Sequence, residues 1–409
     1  MNSGSETSLV IIGHGMVAQR LLEQLVQQPG RPFQRIIVFN GESFPAYNRI
    51  QLSSVLAGDT NEANVLLSSE QWLASHRIQV YSGDPVISLD RKNKTVTSAS
   101  GRVETYTQLV IATGSRSAKL GIPGEDLTNV MTFRDLNDTR KLIELSQRHG
   151  RALVIGGGFL GLEAAEGLRA RGMTVTVLHR SPYLLNRQLD ETGGALLEQA
   201  LCDRGIRIKT GTSPRAMLGR RLVRAVQLDD ETLVSTDLVV IATGITPNIE
   251  LARDAGLECE RAIVVDSQLT TSDPDIHALG ECCQFNGQTF GLVEPGFHQA
   301  EVLAEKLANP ESQRHFRSST IPARLKISDM PIFSCGQTQA DDMTESVIWQ
   351  DLETHRYCRL LIRNQRLKGA VLVGDTTDGP WYGECIQRGD NISACRAQLA
   401  FGQHYCEAV

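Results

Sequence analysis

The sequence predicts an α/β fold in which one strand-turn-helix-strand unit occurs twice and a small α+β domain follows. The second copy begins with an apolar run at residues 152–155, which leads into a glycine-rich turn, a helical pattern and another apolar run at 175–178. The first copy has the same order of elements between residues 9 and 39. A strand that ends in Ile-Ala-Thr-Gly closes each copy, at residues 108–114 and 237–244. An internal duplication of this length is hard to obtain by chance.

Both glycine-rich turns have the fingerprint of a Rossmann-like dinucleotide-binding domain. The first glycine permits a tight turn, the second lets a pyrophosphate approach the backbone, and the third position lets the helix pack close to the sheet. The N-terminus of the helix then presents unpaired N–H groups to phosphate. The positions are Gly13, Gly15 and Ala18 in the first copy and Gly156, Gly158 and Gly161 in the second. Two such turns predict two dinucleotides.

Composition and charge restrict the class of protein. The 409 residues are 41% hydrophobic and 22% charged, which is ordinary for a globular protein of about two to four domains. A net charge of −6 argues against nucleic acid or a membrane as partner, because both favour clustered Lys and Arg. Nine cysteines without a repeated spacing indicate reduced thiols and no metal site. Since neither a secretory signal nor a long apolar run is evident, we expect a cytoplasmic protein.

The first copy has two candidate ligand-binding side chains beyond its glycines. An acid is expected just after the second strand, where it accepts hydrogen bonds from the ribose hydroxyls of an adenosine. Glu42 is the nearest acid, and Asn40, directly after the predicted strand at 35–39, is the alternative. Arg49, in the following loop, can direct a delocalised positive charge at a pyrophosphate, although a surface arginine would look the same in the sequence.

The remaining chain completes the predicted fold. Alternating residues between 78 and 111 predict an antiparallel excursion, and a short strand at 277–279 ends in Gly280-Glu281. A carboxylate in that place suits the hydroxyls of a polyol such as ribitol. From about residue 316 the pattern changes to that of an α+β domain. The further elements predicted are a linker at 246–248, a helix at 297–307, strands at 347–350, 357–362 and 367–373, and helices around 381–388 and 394–401.

Several longer segments carry a family resemblance, namely residues 45–54, 156–165, 186–190, 280–282, 291–295 and 324–334. In these segments the chain resembles the FAD-dependent pyridine nucleotide-disulfide oxidoreductase superfamily. Within it, the chain is similar to the NAD(P)H-dependent rubredoxin, ferredoxin and nitrite reductases. The resemblance is greatest to the N-terminal flavoprotein part of the large subunit of assimilatory NAD(P)H-nitrite reductases, and it covers nearly the whole chain.

The resemblance implies three domains and two cofactors. A discontinuous FAD-binding domain, residues 1–115 and 245–315, would enclose an NAD(P)H-binding domain at 116–244, and a C-terminal domain of rubredoxin-reductase type would occupy 316–409. The candidate residues for FAD are Gly13, Gly15, Ala18, Glu42, Arg49, Thr113, Gly114, Gly280 and Glu281. The candidate residues for NADH or NADPH are Gly156, Gly158, Gly161, Glu163, His179, Arg180 and Gly244.

Two positions depart from the family pattern. Many ferredoxin-reductase relatives have a lysine where this chain has Ser54, and that lysine pairs with the glutamate matching Glu163 beside the flavin. Glu163 is therefore a candidate catalytic residue without its usual partner. After the second strand of the second copy, NADH-preferring proteins usually have an acid, whereas this chain has His179 and Arg180. Arg180 can attract the 2′-phosphate of NADPH or can point to solvent, so the choice between NADH and NADPH stays open.

These features predict a FAD-dependent NAD(P)H oxidoreductase that passes electrons to a separate redox protein. We expect a nitrate or nitrite reductase as the acceptor, with rubredoxin or ferredoxin as the alternative. The flavin carries the chemistry, so no acid-base pair or nucleophile is required. A non-catalytic, redox-sensing FAD/NAD(H)-binding protein is an alternative of another class. An NADH oxidase or peroxidase is disfavoured, because it usually has a redox cysteine next to the flavin and the first cysteine here is Cys202.

Overall fold

The computed structural model of the chain describes residues 7–30, 32–148, 150–318, 322–327, 330–351 and 353–407. By their internal contacts the residues divide into two compact units. The first comprises Met1–Gln51, Asn61–Arg116 and Ile245–Ser318, and the second comprises Leu52–Thr60, Ser117–Gly244 and Ser319–Val409. The three-domain division of the sequence analysis, with its boundaries at 115, 244 and 315, stays a prediction.

The first unit is built on a five-stranded parallel sheet that contains the first glycine-rich turn. In sheet order its strands are Ile276–Ala278, Gln108–Ile111, Ser8–Ile12, Arg35–Asn40 and Ile78–Ser82. The first nucleotide helix, Met16–Gln27, packs against a long helix, Val293–Ala308. This long helix includes the predicted helix at 297–307 and begins four residues earlier. The sheet is a buried parallel core, as its continuous apolar runs predict.

The predicted antiparallel excursion of the first unit is confirmed in part. Its strands are Val86–Asp90, Thr95–Ser98 and Val103–Thr105, all paired antiparallel. The prediction that the excursion begins at residue 78 is wrong, because Ile78–Ser82 is the parallel edge strand of the main sheet. An edge strand that is buried on one face alternates apolar and polar residues just as an antiparallel strand does, so the pattern alone could not distinguish them.

The second unit repeats the arrangement around the second glycine-rich turn. Its parallel sheet has the strand order Arg207–Lys209, Thr174–Leu178, Arg151–Ile155, Leu238–Ile241 and Val130–Thr132. In both units the strand before the glycines lies between the strand that follows the nucleotide helix and the closing strand. The second antiparallel excursion consists of Pro214–Gly219, Val223–Leu228 and Leu233–Ser235. The predicted duplication is therefore confirmed. The helices of this part are Leu136–Ser146, the second nucleotide helix Phe159–Ala170, and Glu191–Asp203.

The C-terminal part of the second unit is an antiparallel sheet with a helix against it. In sheet order the strands are Ala323–Ile327, Met330–Gly336, Arg366–Val373, Arg356–Arg363 and Glu345–Asp351. The strands predicted at 347–350, 357–362 and 367–373 are confirmed, whereas the first two strands of the sheet were not predicted. The helix Gly379–Arg388 matches its prediction. The predicted helix at 394–401 is wrong. Only a 3₁₀ turn, Leu399–Phe401, forms there, and the buried hydroxyl of Tyr382 donates to the Leu399 carbonyl at 2.6 Å.

Short elements connect these layers. A short strand, Ile245–Pro247, overlaps the linker predicted at 246–248. None of the helices in the described ranges is both long and apolar enough to cross a membrane. The other short elements are helices Leu52–Ala57, Glu70–Ser75, Glu250–Asp254 and Gln403–Glu407, 3₁₀ turns Arg49–Gln51, Glu62–Val65 and Gly280–Cys282, and strands Ser115–Ser117, Ile263–Val264, Cys283–Phe285 and Gln288–Thr289.

Candidate functional site

The second glycine of each turn lies at the N-terminus of its nucleotide helix. Gly15 precedes Met16–Gln27 and Gly158 precedes Phe159–Ala170, and neither helix has a side-chain cap. A Cβ atom built on either glycine would meet no heavy atom within 4 Å. The space beside both glycines is therefore open, and no capping side chain accepts from the first N–H groups of either helix, which suits a pyrophosphate. The residues at each turn are therefore compatible with the pyrophosphate of a bound dinucleotide.

The first glycine of each turn is required by the closing strand beside it. Gly13 has φ +104° and Gly156 has φ +126°, a region that L side chains rarely adopt. A Cβ atom would lie 2.2 Å from the Ala112 carbonyl oxygen at Gly13 and 2.2 Å from the Ala242 carbonyl oxygen at Gly156. Both carbonyls belong to the repeated Ile-Ala-Thr-Gly phrase. The two halves of each sequence motif therefore meet in space, in the same way in both units.

The third position differs between the copies. In the second copy, a Cβ atom on Gly161 would lie 1.9 Å from the Gly156 carbonyl oxygen. In the first copy the position is Ala18, whose methyl group is accommodated in the core with 1% of the residue exposed. Only the second turn therefore requires glycine at its third position.

Glu42 and Arg49, both candidates for FAD, are neighbours in the first unit. The Glu42 carboxylate accepts a hydrogen bond from the Tyr47 hydroxyl at 2.7 Å and pairs with the Arg49 guanidinium. Asn40 is the last residue of the second strand rather than the residue after it, and it is buried. Its side chain donates to the Phe44 carbonyl at 2.7 Å and accepts from the Glu42 N–H at 3.1 Å. Asn40 thus shapes the loop that presents Glu42, which favours Glu42 for the ribose contact.

The end of the first closing strand is held by a residue that the sequence analysis missed. Asn248 donates from its side chain to the Thr113 carbonyl at 2.9 Å, and its own carbonyl accepts from the Thr113 hydroxyl at 2.8 Å. Its N–H donates to the Gly114 carbonyl at 2.9 Å. Asn248 therefore fixes the backbone of two FAD candidates. The sequence signal was only a Thr-Pro-Asn segment that looked like a linker.

Gly280 and Glu281 occupy the turn after strand Ile276–Ala278. The Gly280 N–H donates to the buried Gln299 side chain at 2.8 Å, so the long helix anchors this turn. The Glu281 carboxylate accepts from the Ser115 hydroxyl at 2.6 Å. Ser115 directly follows the closing strand and its turn, so the structure brings Glu281 together with the Thr113–Gly114 segment. Ser115 was not a predicted site residue.

In the second unit His179 supports the glycine-rich turn itself. The Gly157 N–H donates to His179 Nδ1 at 3.1 Å, so the ring proton lies on Nε2, which donates to Asn186 Oδ1 at 3.2 Å. Burial lowers the pKa of His179, which keeps the ring in this neutral form. Arg180 is exposed and forms no ion pair with any residue in the described ranges. Gly244, with φ +128°, lies in the turn that follows the second closing strand, which ends at Ile241.

Glu163 lies on the second nucleotide helix beside Leu52–Ala57. Burial raises the pKa of Glu163 to about 7, and its side chain is hydrogen-bonded to Ser53. The neighbouring hydroxyl is thus that of Ser53, one residue before Ser54, the position at which the family resemblance implied a lysine in many ferredoxin reductases. A carboxyl group with a pKa near 7 can either donate or accept a proton at neutral pH.

No disulfide joins the nine cysteines, all of which lie within the described ranges. Within the residues that can be described, no group of three or more His, Cys, Asp or Glu side chains could hold a metal ion. The cysteines are free thiols, and burial raises the pKa of both Cys282 and Cys283. A raised thiol pKa reduces the fraction of reactive thiolate.

Two turns of this geometry on two parallel sheets define a protein that binds two dinucleotides. Residues 7–302 match the family described as pyridine nucleotide-disulphide oxidoreductases, and residues 322–390 match the rubredoxin NAD⁺ reductase C-terminal domain. The chain belongs to the pyridine nucleotide-disulphide oxidoreductase family. It is therefore identified as an oxidoreductase of a family that binds FAD and NAD(P)H.

Similar proteins include a nitrite reductase, a nitrate reductase subunit and a ferredoxin reductase. The nitrite reductase [NAD(P)H] of Bacillus subtilis (strain 168) is 37% identical over 94% of this chain and 48% of its own length. The assimilatory nitrate reductase electron transfer subunit of the same organism is 35% identical over 96% of this chain and 50% of its own length. The chain thus spans about half the length of these relatives. The crystal structure of the ferredoxin reductase for the CYP199A2 system from Rhodopseudomonas palustris has a TM-score of 0.83 and 28% identity over 91% of this chain and 92% of that one.

Proposed function

We propose that this chain is a FAD-dependent NAD(P)H oxidoreductase that passes electrons to a separate redox protein. The favoured setting is nitrate or nitrite assimilation. The observation that carries the proposal is the repeated turn, with an open helix N-terminus at Gly15 in one unit and at Gly158 in the other. One turn is assigned to FAD and the other to NAD(P)H.

The residues of the chain bind and orient these cofactors. Bound FAD supplies the chemistry, since it accepts two electrons as hydride and can release them singly. In the first unit, Glu42 is assigned to the adenosine ribose, and Glu281, next to Ser115, to the hydroxyl groups of the flavin side chain. In the second unit, Gly156, Gly158 and Gly161 are assigned to the NAD(P)H pyrophosphate.

Glu163 is assigned to proton balance near the reacting nicotinamide. A hydride moves without its own proton, so a nearby group that exchanges a proton at neutral pH can keep the charge of the site constant. The Glu163 carboxyl, hydrogen-bonded to Ser53 and with its pKa raised to about 7, has this property. Arg180 is assigned to the 2′-phosphate of NADPH, so that NADPH is not strictly excluded.

The acceptor is inferred from the relatives. Two relatives with 35–37% identity are named for nitrate and nitrite reduction, and each is about twice as long as the chain, so their activity comes to this chain only as a proposal. Rubredoxin or ferredoxin is the second candidate acceptor, favoured by the match of residues 322–390 to the rubredoxin reductase C-terminal domain. That C-terminal part is proposed to contribute to the docking surface. The cytoplasmic location stays a prediction from the sequence.

Stopped-flow oxidation of the dithionite-reduced protein tests the proposal. A metal-bearing nitrate or nitrite reductase component, a rubredoxin and a ferredoxin are each mixed with it under anaerobic conditions, and the return of flavin absorbance is followed. The proposal expects the nitrogen-assimilation component to react fastest. If no protein acceptor reoxidises the flavin while oxygen does so rapidly, the protein is an oxidase. If NADH binds but no acceptor supports turnover, the redox-sensing alternative holds.

A further inference from the structure

Residues 179–190, which we call the support segment, contact the middle of the NAD(P)H turn. Both backbone polar groups of Gly157, in the middle of the turn, are bonded to the support segment. The Gly157 N–H donates to His179 Nδ1 at 3.1 Å, and the Gly157 carbonyl accepts from the Leu185 N–H at 3.0 Å. Leu184 is fully buried, and its Cδ2 atom would lie only 2.6 Å from a Cβ on Gly157. The position of the turn therefore depends on the position of the support segment.

The support segment is not in a relaxed conformation. Leu185 has φ +49°, a left-handed conformation that is unfavourable for a residue with a branched side chain. Such a residue persists only where its surroundings hold it. Leu185 is also buried, with 1% exposed. The Leu185 carbonyl accepts from the N–H groups of Gln188 at 2.7 Å and Leu189 at 2.8 Å, so contacts made at the far end of the segment help to hold Leu185.

Those contacts come from the C-terminal part of the chain. Gln339 donates from its side chain to the Tyr183 hydroxyl at 2.9 Å and to the Leu189 carbonyl at 3.2 Å. The Thr338 hydroxyl donates to the Arg187 carbonyl at 3.4 Å. Both donors belong to the loop after strand Met330–Gly336. All of these residues lie within the second unit.

The last residue of the support segment is the strongest anchor. Asp190 is buried, and its Oδ1 atom accepts from the Gly193 N–H at 3.2 Å, which caps the helix Glu191–Asp203. Its Oδ2 atom accepts from the Tyr357 hydroxyl at 2.5 Å and from Arg359 Nη1 at 2.7 Å. Tyr357 and Arg359 project from the same face of strand Arg356–Arg363. A buried carboxylate with three directed partners has little freedom to move, because it cannot lose any one of them without leaving a polar group unpaired.

We propose that Asp190, Tyr357 and Arg359 are positioning residues for NAD(P)H, through which the C-terminal sheet holds the support segment and thereby the turn at Gly157. The inference rests on the proposed function, since it assumes that this turn binds the nicotinamide dinucleotide. The turn is then already ordered in the protein without nucleotide, and it loses less conformational freedom when NAD(P)H binds. The C-terminal part then contributes to nucleotide affinity without touching the nucleotide.

A pair of matched tyrosine variants tests this inference. Tyr357→Phe removes the hydroxyl that reaches Asp190, and Tyr382→Phe removes an equally buried hydroxyl that donates to Leu399 at 2.6 Å elsewhere in the C-terminal part. For each holoenzyme we would measure the Kd of NAD⁺ by calorimetry, the KM for NADH and kcat with ferricyanide, the FAD content and the thermal midpoint. Gln339→Ala, at an exposed side chain, provides the same test if Tyr357→Phe does not fold.

The inference expects Tyr357→Phe to raise the Kd of NAD⁺ and the KM for NADH by roughly 3- to 10-fold, with kcat and FAD content within about twofold of wild type. Gln339→Ala should act in the same direction. Tyr382→Phe should lower the thermal midpoint without changing either nucleotide constant. Unchanged nucleotide constants in Tyr357→Phe and Gln339→Ala would overturn the inference, and so would an equal rise in Tyr382→Phe. Failure of the wild-type protein to bind NAD⁺ would instead overturn the proposed function.

Discussion

Substitution of Gly161 by alanine should damage the NAD(P)H site and leave the FAD site intact. The added Cβ would lie 1.9 Å from the Gly156 carbonyl oxygen, and an ordinary contact begins at 3.4 Å. The two atoms must therefore separate by about 1.5 Å, the difference between these distances. Both groups are backbone or fixed to it, so the turn and the start of the second nucleotide helix have to move apart. A displacement of about 1 Å at a positioning element can cost on the order of 100-fold in rate.

We therefore expect Gly161→Ala to lower kcat/KM for NADH by about 100-fold, which corresponds to about 2.7 kcal/mol of transition-state stabilisation. The assay is steady-state reduction of ferricyanide by NADH, with the FAD-to-protein ratio measured from absorbance. The matched control is Ala18→Gly, at the equivalent position of the first copy. It creates no contact, and it should cost only about 0.5–1 kcal/mol of stability as a glycine in a helix.

Two results would refute this reasoning. A kcat/KM for NADH within twofold of wild type in Gly161→Ala would mean that the turn at 156–161 does not position the nucleotide. Loss of FAD from Gly161→Ala, with NADH affinity retained, would mean that the two turns are assigned the wrong way round.

Three other outcomes are expected. Arg180→Ala should lower the ratio of kcat/KM for NADPH to kcat/KM for NADH, because the substitution removes an exposed cation beside the proposed 2′-phosphate position. An unchanged ratio would show that Arg180 points to solvent. Glu163→Gln should raise the thermal midpoint more at pH 8 than at pH 5. Burial raises the pKa of Glu163 in the folded chain from 4.5 to about 7, so the folded chain holds this proton more tightly than the unfolded chain. The wild-type protein therefore loses stability as the pH rises between these two values, whereas the glutamine variant does not. In the free energy of unfolding, the gain from the substitution should be about 1–3 kcal/mol larger at pH 8 than at pH 5. An equal gain at both pH values would contradict this prediction. The isolated chain should reduce dyes but not nitrite, because six-electron reduction of nitrite takes a metal centre; ammonium formed from nitrite by the metal-free protein would overturn this expectation.

The sequence was most informative where one residue type has a unique physical role. Gly13 and Gly156 were predicted as turn glycines. Each has a positive φ, and a Cβ atom on either would collide with a backbone carbonyl oxygen. The central parallel strands of both sheets were predicted from continuous apolar runs, because a strand buried on both faces has no polar side. The parallel edge strands Ile78–Ser82, Val130–Thr132 and Arg207–Lys209 were not predicted as such. These signals are local, so a single sequence contains them in full.

The sequence was least informative where distant residues meet. Asp190 and Tyr357 are separated by 167 positions, and Asn248 and Thr113 by 135, so no periodicity or spacing connects them. The segment at 394–401 has helical spacing of apolar residues, but the buried Tyr382 hydroxyl bonds to Leu399 and only a 3₁₀ turn forms. Tertiary contacts override local preference in such places.

The pairing of Glu42 with Arg49 shows a further limit. Both residues were predicted to contact FAD individually, and no pattern in the sequence indicated that their side chains would meet. They are seven positions apart in a loop and a 3₁₀ turn, where no regular spacing applies. The assignments of individual residues to FAD and NAD(P)H accordingly stay predictions.

Anaerobic titration of the purified, FAD-loaded protein with NADH tests the central claim most directly. The account predicts a yellow protein with one FAD per chain, whose flavin absorbance is bleached in proportion to added NADH and reaches completion near one equivalent, because one hydride reduces one flavin. Denaturation should release the FAD, since no residue for covalent attachment is evident. A protein that binds both dinucleotides but keeps its oxidised flavin spectrum through several equivalents of NADH would contradict the claim that this chain is a reductase.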